Sequence, residues 1–138
     1  MVETQDAQAL KNTELVKDAY AAFGRGDIPG VVAALDDQII WNGVIGAGPH
    51  IPMAGERRGK DAVTEFFGSV GTHVHFSRFE PREFLAQGDK VVALGHYTAT
   101  TSAGKSFDSD FVMVFTLKNG KVTRFQEYLD ATALNAAF

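Results

Sequence analysis

The apolar positions of this chain change period once along its length, from a helical spacing in the first half to a two-residue alternation in the second. Leu15, Val16, Ala19, Ala22 and Phe23 recur at helical intervals until Gly24 and Gly26 stop them. Asp27 then stands where an N-cap belongs, Pro29 falls in the first turn, and Val31, Val32 and Leu35 give a second, short helix its apolar face. Asp36-Asp37 closes it, and Gln38 to Asn42 is a short β-branched and aromatic run. The Gly- and Pro-rich segment from Gly43 to Gly59 reads as a long loop suited to cover a site. A third helix opens near Gly59-Lys60-Asp61, sets Ala62, Val63, Phe66 and Phe67 on one side, and ends near Gly71. Strands are predicted at 73–86, 90–101, 107–117 and 121–130, joined by hairpin turns at Gln87-Gly88-Asp89, Ala103-Gly104 and Asn119-Gly120. Pro81 has no N–H to give a ladder, so a bulge or an edge position is expected there.

Three helices, one early strand and a four-strand meander predict an α+β domain with helices laid over one face of a bent antiparallel sheet. Residues 1–9 read as a polar arm and 10–138 as one domain. Turning at Ala103-Gly104 sets His96 opposite Phe111 and Leu94 opposite Met113; turning at Asn119-Gly120 sets Phe111, Met113 and Phe115 opposite Tyr128, Gln126 and Arg124. The inner face is then expected to carry Val92, Leu94, Phe111, Met113 and Phe115, with His96, Gln126, Tyr128 and Asp130 gathered toward one end. An apolar face with a few convergent polar groups suits a hydrophobic small-molecule ligand.

Composition narrows the partners. A net charge of -4 and the lack of a dense Lys/Arg stripe argue against nucleic acid. Cysteine is absent, which removes disulfides and thiol chemistry. The polar, acidic start lacks the basic segment and apolar run of a secretory signal, and the apolar runs Val31 to Leu35 and Phe111 to Phe115 fall far short of the roughly 20 residues that span a bilayer. A cytoplasmic location with no membrane association is the expectation. His73 and His75 share one side of a strand without a third ligand at convincing spacing, so no metal is expected. Gly55 to Asp61 is one residue short of a phosphate loop and has Asp where Ser or Thr belongs, so no nucleotide site is expected.

Four segments stand in a telling order and spacing: Ala19-Tyr20-Ala21-Ala22-Phe23-Gly24-Arg25-Gly26-Asp27, Asp36-Asp37 with the Trp41 strand, Gly59-Lys60-Asp61-Ala62-Val63, and Asn119-Gly120-Lys121-Val122 through Tyr128-Leu129-Asp130. Together they resemble the nuclear transport factor 2-like superfamily, and within it the SnoaL-like branch of polyketide cyclases and relatives of ketosteroid isomerases. The likeness covers about residues 10–132 and implies a cone-shaped apolar pocket, acid/base chemistry without a cofactor, and a homodimer. The outer sheet face, expected to carry Val112, Val114 and Phe125, is free for that dimer.

Carried over by residue, Tyr20 matches the helix-one tyrosine of ketosteroid isomerases that donates to an oxyanion. Asn42 stands where their proton-abstracting carboxylate would be and Met113 where their second acid would be, so isomerisation by that apparatus is not expected. The acid/base aspartate that the cyclases carry at the end of the last strand matches Asp130. The resemblance therefore implies Asp130 as base on a hydrophobic carbonyl compound, with Tyr20, Asn42, Tyr128 or His96 stabilising an enolate. Trp41, Phe66, Phe111, Met113, Phe115 and Gln126 complete the expected ligand-binding set. Plainer readings stand beside these: Asp130 as the N-cap of a terminal helix, His96 as a satisfied pocket histidine, and the aromatic residues as packing. Epoxide hydrolysis needs an inward Asp-Arg-Asp set, of which Arg124 and Asp130 supply two members. A non-catalytic ligand-binding or dimerisation module of the same fold is the alternative to an enzyme.

Overall fold

A computed structural model describes residues 2–138, with side chains from residue 7 onward. Helix α1 runs from Val2 to Gly24, so it starts within the stretch expected as a polar arm, and Gly26 at φ 73° turns the chain out of it. Helix α2 (Ile28–Ala33) is capped as predicted: the Asp27 carboxylate accepts from the Gly30 amide at 2.9 Å, with Pro29 in the first turn. Strand β1 (Leu35–Ile45) absorbs Asp36-Asp37, which were expected to close the helix, and a two-residue β2 (Arg57–Arg58) pairs with its Ile40 and Trp41. Helix α3 (Lys60–His73) leads into β3 (Val74–Gln87), β4 (Lys90–Thr101), β5 (Ser106–Lys118) and β6 (Lys121–Leu129), and α4 (Ala131–Ala136) follows.

The six strands form one curved sheet in the order β2-β1-β6-β5-β4-β3, antiparallel throughout except for the parallel pair β1 and β6. Pro81 meets both expectations for it, since β3 is an edge strand and its register shifts between Pro81 and Glu83. Helix α1 packs on β3 and β4, and α3 on β1 and β3, so the helices cover one face of the sheet. Among the described residues, no helix is long and apolar enough to cross a membrane.

The strand register departs from expectation by one residue, for two separate reasons. Between β4 and β5 the Thr101 amide donates to the Lys105 carbonyl at 2.9 Å, leaving three loop residues, Ser102 to Gly104, with Gly104 at φ 77°. That odd loop pairs Gly95 with Phe111 and His96 with Asp110, where a two-residue turn at Ala103-Gly104 would have paired His96 with Phe111. Between β5 and β6 the Asn119-Gly120 turn sets Leu117 opposite Val122 as expected, but a shift between Thr116 and Leu117 then brings Phe111, Met113 and Phe115 opposite Leu129, Glu127 and Phe125. A slip of one residue turns every side chain of a strand to the other face. Val91, Ala93, Tyr97, Phe125 and Glu127 are therefore buried on the inner face, while Val92, Leu94, His96, Gln126 and Tyr128 belong to the outer one. Phe125, expected outside, is 3% exposed and stacks on Trp41 with ring centroids 3.9 Å apart.

Candidate active site

Between the helices and the inner sheet face lies a cavity of about 100 Å³. A single water needs only ~10–15 Å³ of such space, so the cavity has room for a small organic molecule. Helix α1 contributes Tyr20 and Phe23, α3 contributes Phe66 and Phe67, and β1 contributes Trp41 and Val44. The long strands supply Tyr97, Met113, Phe115 and Phe125, while Met53 of the β1–β2 connection and Leu134 of α4 complete the wall. This lining is almost wholly apolar and dominated by aromatic rings, packed mainly edge to face: Tyr20 meets Phe115 at 5.8 Å, and Trp41 meets Phe66 at 5.6 Å.

Among the described residues, one carboxyl group lies in this wall. Glu127 is 6% exposed; its Oε2 accepts from the Tyr97 hydroxyl at 2.8 Å and its Oε1 from the Val44 amide at 3.1 Å. The register shift of β1 between Asn42 and Ile45 brings that amide into line, and Val44 adopts φ 46°, a left-handed conformation that a β-branched residue rarely takes. Backbone strain of this kind is held only where the surrounding structure enforces it, and here it supplies a hydrogen bond to a buried carboxyl. Burial raises the Glu127 pKa above the ordinary carboxylate value, and the hydrogen bonds from Tyr97 and Val44 oppose that rise. Burial, followed by the nearby Glu127 charge, pushes the Tyr20 and Tyr97 phenols up, so both remain neutral donors.

Two donors in the wall lack a strong acceptor. The Tyr20 hydroxyl donates to the Met113 thioether at 2.9 Å, a weak partner, and the Trp41 indole Nε1 is buried with none. The site thus combines a group able to take or give a proton with one donor, the Tyr20 hydroxyl, available to an oxygen atom.

Of the residues singled out in the sequence, Tyr20, Trp41, Phe66, Met113 and Phe115 line the cavity. Phe111 lies behind it, 1% exposed and stacked on Tyr97 and Phe79 at 5.1 and 5.4 Å, where it supports the wall. Asn42 alternates away from Trp41 and is not part of the lining. His96, Gln126, Tyr128 and Asp130 were expected inside and are not, because the slip in register turns the first three outward and β6 ends before the fourth. The His96 ring nitrogens face Asp110 Oδ1 at 2.7 Å and Asp108, and hydrogen bonds donated to Asp110 and then to Asp108 raise its pKa. Gln126 donates to the Tyr128 hydroxyl at 3.0 Å. The exposed Asp130 carboxylate accepts from the Ala133 amide at 3.1 Å, the capping role of its plainer reading. Arg124, the other member of the incomplete hydrolase set, is exposed as well. Among the described residues no His, Cys, Asp or Glu group is arranged to hold a metal ion.

Glu127 and Tyr97 were not singled out in the sequence. The signal that could have found them is the alternation Phe125, Glu127, Leu129 on β6, in which a carboxylate shares a face with two large apolar residues.

Comparison with solved structures places this geometry in a known context. An NTF2-like protein from Burkholderia xenovorans LB400 is 35% identical with a TM-score of 0.83, the match covering 94% of this chain and 96% of that one. An NTF2-like protein of unknown function from Burkholderia pseudomallei K96243 is 33% identical with a TM-score of 0.84, covering 92% and 96%. TerC, co-crystallised with polyporic acid, is 30% identical with a TM-score of 0.80, covering 92% and 97%. No curated protein matches the chain. The SnoaL-like domain family matches residues 16–125, most of the described fold. With its helices and curved six-stranded sheet, the chain belongs to the SnoaL-like family of the NTF2-like superfamily.

Proposed function

We propose that this protein binds a hydrophobic aromatic carbonyl compound in the cavity and moves a proton on it, with Glu127 as the acid/base group and Tyr97 as the residue that positions it. The observation that carries this reading is the buried Glu127 carboxyl, the one carboxyl of the wall among the described residues, held by a phenol and a strained amide in mostly apolar, aromatic surroundings. In the proposed step the Cα–H bond of the bound ketone breaks, its proton passes to a Glu127 oxygen, the C–H pair forms a double bond to the carbonyl carbon, and the carbonyl π pair moves onto the oxygen. The Tyr20 hydroxyl exchanges its thioether partner for that oxygen and stabilises the enolate. Return of the proton to another carbon, or attack of the enolate carbon on a second carbonyl, completes an isomerisation or a cyclisation. A raised pKa makes the ionised carboxylate a stronger base than an exposed one. The co-crystallisation of TerC with polyporic acid supports a small organic ligand in a fold of this kind. The proposed assembly is a homodimer built on the outer sheet face that carries Val112 and Val114.

A second reading has its own support: both Glu127 oxygens already accept a hydrogen bond, so the cavity would serve equally as a non-catalytic binding site. The two are separated by incubating the protein with acetophenone in D2O and following loss of the methyl proton signal by NMR. Catalysis predicts exchange above the buffer rate that vanishes in Glu127→Gln while binding persists. Binding without exchange would overturn the catalytic reading and leave the second.

A further inference from the structure

We propose that the cavity selects its ligand by charge, accepting uncharged oxygen-bearing aromatic molecules and rejecting organic anions, with Glu127 as the residue that sets the rejection. This rests on the ligand-binding reading above and narrows its substrate class.

The wall contains no lysine, arginine or histidine; its ionisable side chains are Tyr20, Tyr97 and Glu127. Arg57 is a nearby cation, its guanidinium 5.8 Å from the centre of the Phe66 ring, yet it does not line the cavity. Its two terminal nitrogens donate to the Ala62 and Pro52 carbonyls at 3.3 and 3.4 Å, and its Nε, buried without a partner, is sealed from the cavity by less than 1 Å² of exposure. A bound carboxylate or sulfonate would therefore lose its water without gaining a counter-charge, and would sit in the same apolar space as the Glu127 carboxyl.

A cation is the other candidate, because aromatic faces and one carboxylate attract ammonium groups. The hydrogen-bond inventory argues against it. Each Glu127 oxygen already accepts a bond from a neutral donor, whereas the Tyr20 hydroxyl is a donor held only by a thioether. Such a donor calls for an acceptor on the ligand, and a neutral carbonyl, phenol or quinone oxygen supplies one without bringing charge. Glu127 thus acts twice, as the proposed proton carrier and as the group that bars anions.

Three single-ring probes of similar size separate the possibilities: acetophenone, benzoate and benzylammonium, measured by isothermal titration at neutral pH. Acetophenone is expected to bind, with benzoate weaker by about 30-fold or more, and with Glu127→Gln closing that gap by roughly 5-fold or more. Benzoate binding as well as acetophenone, benzylammonium binding best, or a gap unchanged in Glu127→Gln would each overturn the inference while leaving a ligand site in place. If none of the three binds, the ligand-binding reading falls and takes the inference with it. Should Glu127→Gln fail to fold, Glu127→Met carries the same comparison, and the wild-type ranking of the probes decides the charge rule by itself.

Discussion

Replacing Tyr97 with Phe tests the site through a single atom. The hydroxyl is the donor to Glu127 Oε2 at 2.8 Å, and the two residues are only 2% and 6% exposed, so water cannot readily replace it. Removing a hydrogen bond to a buried charged group costs roughly 1.5–3 kcal/mol. At about 3–4 °C per kcal/mol for a domain of this size, the melting temperature should fall by roughly 5–10 °C. The pH dependence makes the test specific. Folding raises the Glu127 pKa above its ordinary value of 4.5, so the group's contribution to stability is full below that value and is lost as pH rises through the folded pKa. The Tyr97 hydrogen bond offsets part of that loss because it favours the ionised form. Tyr97→Phe should therefore destabilise more at pH 8 than at pH 5, measured by thermal melts followed by circular dichroism. In a Glu127→Gln background the effect should shrink by about 1–2 kcal/mol, the coupling expected of contacting residues. An equal loss at both pH values, or a total effect below about 0.5 kcal/mol, would refute the idea that Tyr97 stabilises an ionisable buried carboxyl.

Three further outcomes follow from the same geometry. A Cβ at Gly95 would come within 3.0 Å of the Glu80 carbonyl oxygen and the Phe111 ring, so Gly95→Ala should cost about 1–3 kcal/mol in a urea titration, with little change in the denaturant slope. Hydrogen bonds that the His96 ring donates to Asp110 and Asp108 raise its pKa, so its stabilisation is full below the ordinary value of 6.5 and lost as pH rises through the folded one; wild type should lose melting temperature across that interval relative to His96→Asn. Asp130→Ala should cost about 0.5–2 kcal/mol by uncapping α4, whereas Asp130→Asn should be nearly neutral and leave ligand binding intact, as thermal shift would report.

Local signals carried most of the fold. The Asp27 cap, Pro29 in the first turn, the change of period after α3 and three glycine-bearing turns marked elements that the structure reproduces within a few residues. Pro81 even announced its bulge. The site was harder to read because it depends on which face each strand residue takes, and that is decided by small irregularities. One extra residue in the Ser102 to Gly104 loop and one shift beside Thr116 were enough to exchange His96 for Tyr97 and Gln126 for Glu127. Neither irregularity has a strong composition of its own; Ala103-Gly104 suits a two-residue or a three-residue loop equally. Residues placed by helices were safer, and Tyr20 and Phe66 reached the cavity as expected. The parallel pairing of β1 with β6 left no trace in the local pattern, since nothing near Trp41 specifies a partner so far along the chain.

That pairing bears on how the molecule assembles. Val44 and Glu127, which meet across β1 and β6, are 83 residues apart in sequence, and no tight turn brings them together. The antiparallel hairpins from β3 to β6 close through short loops and can form early, whereas β1 must wait for the strand it docks on. Until then its apolar residues Ile39 and Trp41 are exposed on an unpaired strand, a species prone to aggregate. This topology predicts that the cavity closes late, so substitutions in β1 should speed unfolding more than they slow folding, as stopped-flow kinetics would report.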